Sequence, residues 1–235
     1  MKAENITIDL PTSKQSVSGL VLVPPNMKAM MVLGHGAGAG MAHRFMTQLA
    51  ENLWLQHIGT LRYNFPYIEQ GRRSPGSPAI SEATVRAAVA KAQQIAAHEV
   101  LLVGGKSYGG RMSSQAQAKE PLQGVSGFVF FGFPLHAPGK PGDSRGTHLA
   151  NIKIPSLFLQ GSRDKLANLD LLTPLLDSLG NHVTLQVVDG ADHGFNMLKS
   201  ASKTSEEVQK ELAKITSNWL STHGPSRVHS GAGVF

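Results

Sequence analysis

With 235 residues, 41% of them apolar, the chain is long enough for one substantial core and one domain. It has no cysteine, which excludes disulfides, thiolate metal sites and cysteine catalysis and leads us to expect a cytoplasmic protein; with no apolar leader or run near eighteen residues, no membrane association is expected either. The formal charge of +6 does not read as a nucleic-acid footprint, because the basic residues stand singly apart from Arg72-Arg73 and no aromatic residues alternate with them.

In chain order, the apolar segments 6–8 and 17–23 are strand-like and separated by the turn residues 11–14, which predicts an antiparallel pair at one sheet edge. A further strand, 30–33, runs directly into Gly34-His-Gly-Ala-Gly-Ala-Gly40. So many glycines imply that this loop's backbone approaches something closely. It lacks the Gly-Lys-Ser/Thr ending of a phosphate loop, and the acid about twenty residues on that a dinucleotide fingerprint needs is met only by Glu51, inside a predicted helix, so no nucleotide cofactor is expected. His35 reads as a structural residue that pins the loop. Phe45, Leu49 and Leu53 at helical spacing predict a helix over 43–57, followed by a strand over 60–63. The Pro/Gly-rich stretch 64–78 is a long loop on the side of the sheet where ligands bind, which makes Tyr67, Arg72 and Arg73 candidate substrate contacts, although each reads equally well as plain surface. A helix over 81–98, capped by Ser81, carries Val85, Ala88, Val89, Ala92 and Ile95 on one face.

Residues 100–103 form a continuous apolar, β-rich run, as expected for a parallel strand covered on both faces, and Gly104-Gly105 close it. From Ser107 the chain can run as a helix until Pro121. A serine at such a junction is held out of the core and faces backbone N–H groups at a helix start, which is what a nucleophile needs. Gly105 and Gly109, two residues on either side, keep the turn tight: Gly-Lys-Ser-Tyr-Gly. The five-residue pattern alone is a weak signal; its place between a buried strand and a helix gives it weight. This segment resembles the nucleophile elbow of the α/β-hydrolases. The resemblance implies Ser107 as nucleophile and an oxyanion hole made by the N–H groups of Ala37, in the His-Gly-Ala loop, and of Tyr108.

Beyond the elbow, 127–131 is another buried strand, and the short polar passage before Ile152 leaves no room for the helical cap that lidded α/β-hydrolases insert there. The strand 156–160 exits into Gly161-Ser-Arg-Asp164, where a carboxylate can be fixed by backbone N–H groups and aimed at an imidazole. Asp143, Asp170, Asp189 and Asp192 are the alternatives to Asp164 as acid. A helix over 168–179 and a strand over 183–188 lead to Asp189-Gly-Ala-Asp-His-Gly-Phe195, where the resemblance places the base, His193, with Phe195 packed beneath. His136 is its rival, but it precedes the acid. Val208, Leu212, Ile215 and Trp219 mark a last amphipathic helix, and 223–235 reads as a mobile glycine-rich tail after a single domain over 1–222.

The expected fold class is α/β: a mostly parallel central sheet with helices on both faces, the α/β-hydrolase fold without a cap domain. Within that fold the chain resembles the small capless group near dienelactone hydrolase, with serine where that enzyme has its cysteine nucleophile. The resemblance implies a serine hydrolase with a Ser107–Asp164–His193 triad acting on a small-molecule acyl ester, with no metal and no cofactor. A thioesterase or peptidase using the same groups, and a binding or scaffold protein retaining the fold, are the alternatives.

Overall fold

The computed structural model describes residues 1–11, 15–97 and 99–223; the tail expected over 223–235 lies, from residue 224 onward, outside the described residues. Eight strands form one sheet in the order β1-β2-β4-β3-β5-β6-β7-β8. The strands β1 (Glu4–Leu10) and β2 (Gln15–Leu22) form the expected antiparallel edge. From β3 (Ala29–Gly34) and β4 (Ile58–Tyr63) through β5 (Val100–Lys106), β6 (Val125–Phe131), β7 (Ser156–Gly161) and β8 (Val183–Val188) every pairing is parallel. All residues of β3, β4 and β7 are buried, because helices cover both faces. Alternate side chains feed two cores: Met30, Val32, Phe128 and Phe130 into one, Met31, Leu33, Val129 and Phe131 into the other.

The first core is closed by α3 (Pro78–Ile95), α4 (Tyr108–Lys119) and α5 (Leu169–Asp177), the second by α1 (Arg44–Leu55) and α6 (Ser205–His223). A single turn, α2 (Pro66–Glu69), lies within the stretch read as loop. The third helix starts earlier than Ser81 suggests. Pro78 occupies its first position, where the missing N–H costs nothing, and Ser81 is instead buried in the first turns with its hydroxyl 2.8 Å from that of Tyr108. Between β6 and β7, residues 132–155 contain only a short 3-10 helix, Thr147–Asn151, so no cap covers the sheet.

Chain order reverses at β3: β4 lies on one side of it and β5 on the other, so the loops leaving β3 and β5 flank the crevice at the carboxyl ends of the strands. Those loops meet because the backbones there are bare. β5 does not stop at its glycines but continues to Lys106, since a side-chain carbon on Gly104 would run into the Val129 carbonyl and one on Gly105 or Gly109 into Gly34. The loop after β3 is held from beneath by His35. Its Nδ1–H donates to the Gly36 carbonyl at 2.7 Å, and its Nε2 accepts from the Phe65 amide at 3.2 Å; a carbonyl can only accept and an amide only donate, so the ring is the neutral Nδ1–H tautomer.

Two measurements test this account. Gly104→Ala is expected to lower unfolding free energy in urea by about 3 kcal/mol or more, since β6 must move, whereas Gly76→Ala, in open space, stays within about 1 kcal/mol of the parent. Burial lowers the pKa of His35 to about 4, and burial with the nearby Arg111 charge does the same for His148. Both folded values lie below the unfolded one, so their stability contribution is complete above about pH 6.5 and lost as pH falls toward 4. Unfolding free energy should drop across that window, His35 alone accounting for roughly 3 kcal/mol, and His35→Gln should flatten the slope.

Candidate active site

Ser107 links β5 to α4 with φ 50 and ψ −111, a left-handed conformation costly for a serine and held because everything around it is fixed. Its amide donates to the Phe131 carbonyl of β6 at 3.1 Å, and α4 begins with the next residue. The half-buried hydroxyl therefore points away from the sheet. His193 Nε2 lies 2.8 Å from Ser107 Oγ, and His193 Nδ1 lies 2.7 Å from Asp164 Oδ2. A carboxylate only accepts, so Nδ1 carries the proton and Nε2 is free to accept from the hydroxyl. Burial holds the His193 pKa below 6.5, against the hydrogen bond it donates to Asp164, and the Lys106 charge pushes the same way as burial.

The structure brings Ser107, Asp164 and His193 together from three strand exits, and it occupies their rivals elsewhere. Asp192 Oδ1 accepts the amides of Gly194 and Asn196, both at 2.8 Å, and so shapes the loop that carries His193. Asp189 accepts from Ser162 Oγ at 2.9 Å. His136 donates through Nδ1 to the Ala137 carbonyl and accepts at Nε2 from the Asn168 amide, which commits both nitrogens. Asp143 lies on an exposed bend and Asp170 in the first turn of α5.

One residue at the site escaped the sequence reading. Gln160, fully buried at the end of β7, donates through Nε2 to Asp164 Oδ2 at 2.5 Å, while its Oε1 accepts the Phe133 amide at 2.9 Å. With the Leu166 amide on Oδ1 at 2.7 Å, it fixes both oxygens of a carboxylate whose side chain has no exposure. The sequence signal is an amide side chain directly after the apolar run Leu157-Phe-Leu159, four positions before Asp164.

The loop after β3 reaches Ser107: a carbon added to Gly36 would lie 3.9 Å from Ser107 Cβ, and Ala37 shares a cavity of about 620 Å³ with Ser107 and His193. Tyr108 is the first residue of α4, so its amide has no partner within the helix, and its hydroxyl is tied to Ser81. Tyr67, by contrast, is not placed on that cavity. Its hydroxyl accepts the Gly38 amide at 3.2 Å and so braces the loop from behind. Arg72 lines a different cavity, with Leu10 and Gln15, and Arg73 comes near the loop at Gly38 through its carbonyl oxygen and Cβ. The walls of the Ser107 cavity come instead from the starts of α1 (Arg44, Phe45, Met46) and α6 (Glu206, Gln209) and from Leu166. These positions have no local signal, because they arrive through helix packing on the second core. Phe195, expected beneath His193, is buried with its ring stacked on that of Phe45 at 6.0 Å.

Among the described residues no group of three or more His, Cys, Asp or Glu side chains could hold a metal ion, and no helix is long and apolar enough to cross a membrane. Solved structures share this architecture at low identity. A serine hydrolase without lid from Xanthomonas campestris superposes with a TM-score of 0.72 at 18% identity, over 93% of this chain and 95% of its own. A dienelactone hydrolase from Anabaena variabilis gives 0.71 at 16%, over 96% and 100%, and Est1E from Butyrivibrio proteoclasticus gives 0.66 at 14%, over 92% and 99%. The family described as an alpha/beta hydrolase domain matches residues 27–221. With the elbow, the capless sheet and a family match over most of its length, the chain belongs to the alpha/beta hydrolases.

Proposed function

We propose that this chain is a serine hydrolase that cleaves a small acyl ester through an acyl-enzyme intermediate, acting in the cytoplasm. The observation that carries the reading is the continuous hydrogen-bonded chain from Ser107 Oγ through His193 to Asp164. Ser107 Oγ attacks the ester carbonyl carbon while its proton passes to His193 Nε2. The resulting imidazolium is stabilised by Asp164, which Gln160 and Leu166 keep in place without needing to take the proton. Charge on the carbonyl oxygen is met by the N–H groups of Ala37 and Tyr108. His193 then returns the proton to the departing alcohol. Water attacks the acyl-enzyme by the same route and restores Ser107.

The same groups can act on thioesters and peptides, so the substrate range rests on the cavity. No cap lies over Ser107, so a long acyl chain would remain partly in water, forfeiting roughly 0.8 kcal/mol per methylene left unburied. Short acyl groups are therefore favoured.

Ser107→Ala is expected to abolish labelling by a fluorophosphonate while leaving the circular dichroism spectrum unchanged; residual labelling would remove Ser107 from its role. Asp164→Asn should lower kcat by about four orders of magnitude with little change in KM, and Asp170→Asn should stay within about twofold. Because burial holds His193 below its ordinary value, the acid limb of kcat/KM should have its midpoint below about pH 6.5, activity falling as the imidazole gains its proton. Across p-nitrophenyl acetate, butyrate, octanoate and palmitate, with a thioester and a peptide in parallel, catalytic efficiency should peak at acetate or butyrate. A peak at palmitate would mean that a surface segment acts as a lid.

A further inference from the structure

Lys106, the last residue of β5, immediately precedes Ser107. Its Nζ is buried and has no hydrogen-bond partner. Phe45 and Phe195 flank it, their ring centroids lying 5.9 and 5.7 Å away. Two aromatic rings offset part of the cost of burying an ammonium but supply no acceptor. A methionine would fill the same space without that cost, so shape alone does not account for the charge.

The ammonium is close to the base. A carbon placed on Gly132 would lie 3.0 Å from Lys106 Nζ and 3.5 Å from His193 Nδ1, so the two nitrogens are separated by no more than those lengths together. We propose that Lys106 is a positioning residue whose buried ammonium disfavours the imidazolium form of His193, keeping the base neutral and free to accept from Ser107 on the acid side of neutrality. The proposal rests on reading Ser107 and His193 as nucleophile and base.

Every charged group facing His193 has a definite sign and place. Asp164, from the exit of β7, and Asp192, from the loop of His193 itself, favour the imidazolium. Lys106, from the end of β5, opposes it. Across the cavity stand His43 and Arg44 at the start of α1 and Glu206 at the start of α6, all exposed and therefore screened by water. Lys106 has no such screening. Burial lowers its own pKa to about 8, against the pull of Asp164 and Asp192, so it still carries its charge at neutral pH. A unit charge at this range in a partly screened interior displaces an imidazole titration by about one pH unit or more.

The test uses the full chain with Lys106→Met, which removes the charge and keeps the length, and Lys106→Arg, which keeps the charge. The first readout is the His193 imidazole titration by NMR in a Ser107→Ala background, which needs no turnover. The second is the pH dependence of kcat/KM on p-nitrophenyl acetate with Ser107 intact. Lys106→Met should move both midpoints upward by about one pH unit, so that at pH 5.5 its efficiency relative to its own plateau falls about five- to tenfold below the parent; Lys106→Arg should keep the parental midpoint. The melting temperature of Lys106→Met should equal or exceed the parent's, since a buried charge without a hydrogen-bond partner has gone. A titration unmoved in Lys106→Met overturns the proposal. Lys106→Gln supplies the same comparison should the methionine variant not fold. If no ester is hydrolysed, the hydrolase reading fails while the NMR midpoint still decides the role of Lys106.

Discussion

Backbone touching backbone is the constraint on which the site depends. Gly34 at the end of β3, Gly104 and Gly105 in β5 and Gly109 in the first turn of α4 bring three main-chain segments closer than any side chain would permit. That approach lets β5 run to Lys106 before the chain turns, and it forces Ser107 into its left-handed conformation at the end of a buried strand. The strain is held by surroundings that do not yield: the Ser107 amide is tied to Phe131, and β6 itself is packed through Phe128, Phe130 and Phe131, all fully buried. The placement of the Ser107 hydroxyl is a product of this main-chain packing.

Around that turn the molecule buries polar groups with different degrees of satisfaction, and the differences are informative. Asp164 has both oxygens occupied, by Gln160, Leu166 and His193, which satisfies a side chain without exposure. His35 has both ring nitrogens committed and stays neutral, holding the loop that reaches Ser107. Lys106 differs from both, its buried ammonium having no hydrogen-bond partner although it lies close to His193.

The surroundings of Ser107 also separate support from contact. Tyr67 braces the loop after β3 through Gly38, Asn64 accepts the Met41 amide, and Arg62 donates to the Met41 carbonyl, so residues near the 64–78 stretch shape the site from behind. The cavity itself is walled by α1 and α6, two helices that share the second core and pack against each other. Substrate selectivity is therefore expected to be set on that side of the sheet, at Phe45, Met46 and Gln209.

How much of this could be read from residues alone depended on the range of the interaction involved. Ser107, the glycines around it, the parallel strands and the helix of Phe45, Leu49 and Leu53 were legible because they rest on local rules: small residues at a tight turn, apolar runs under two layers, a repeat of 3.6. Asp164 and His193 were legible as positions after strands, by resemblance to a known order, and Asp192 was set behind Asp164 because it is too close to His193 along the chain to reach its ring from a separate strand. What only tertiary structure supplied is the occupation of each carboxylate, Asp192 turned to its own loop amides and Gln160 set against Asp164. It also sent Arg72 to a different cavity and brought Gln209 to Ser107 across more than a hundred residues of chain. The amino-acid sequence by itself determined which segments are strands and helices and where a nucleophile turn falls, because those depend on neighbours along the chain; which side chains meet there was decided by how helices seat on the two faces of the sheet, since contact across a core depends on packing in space and leaves no periodic mark in the chain.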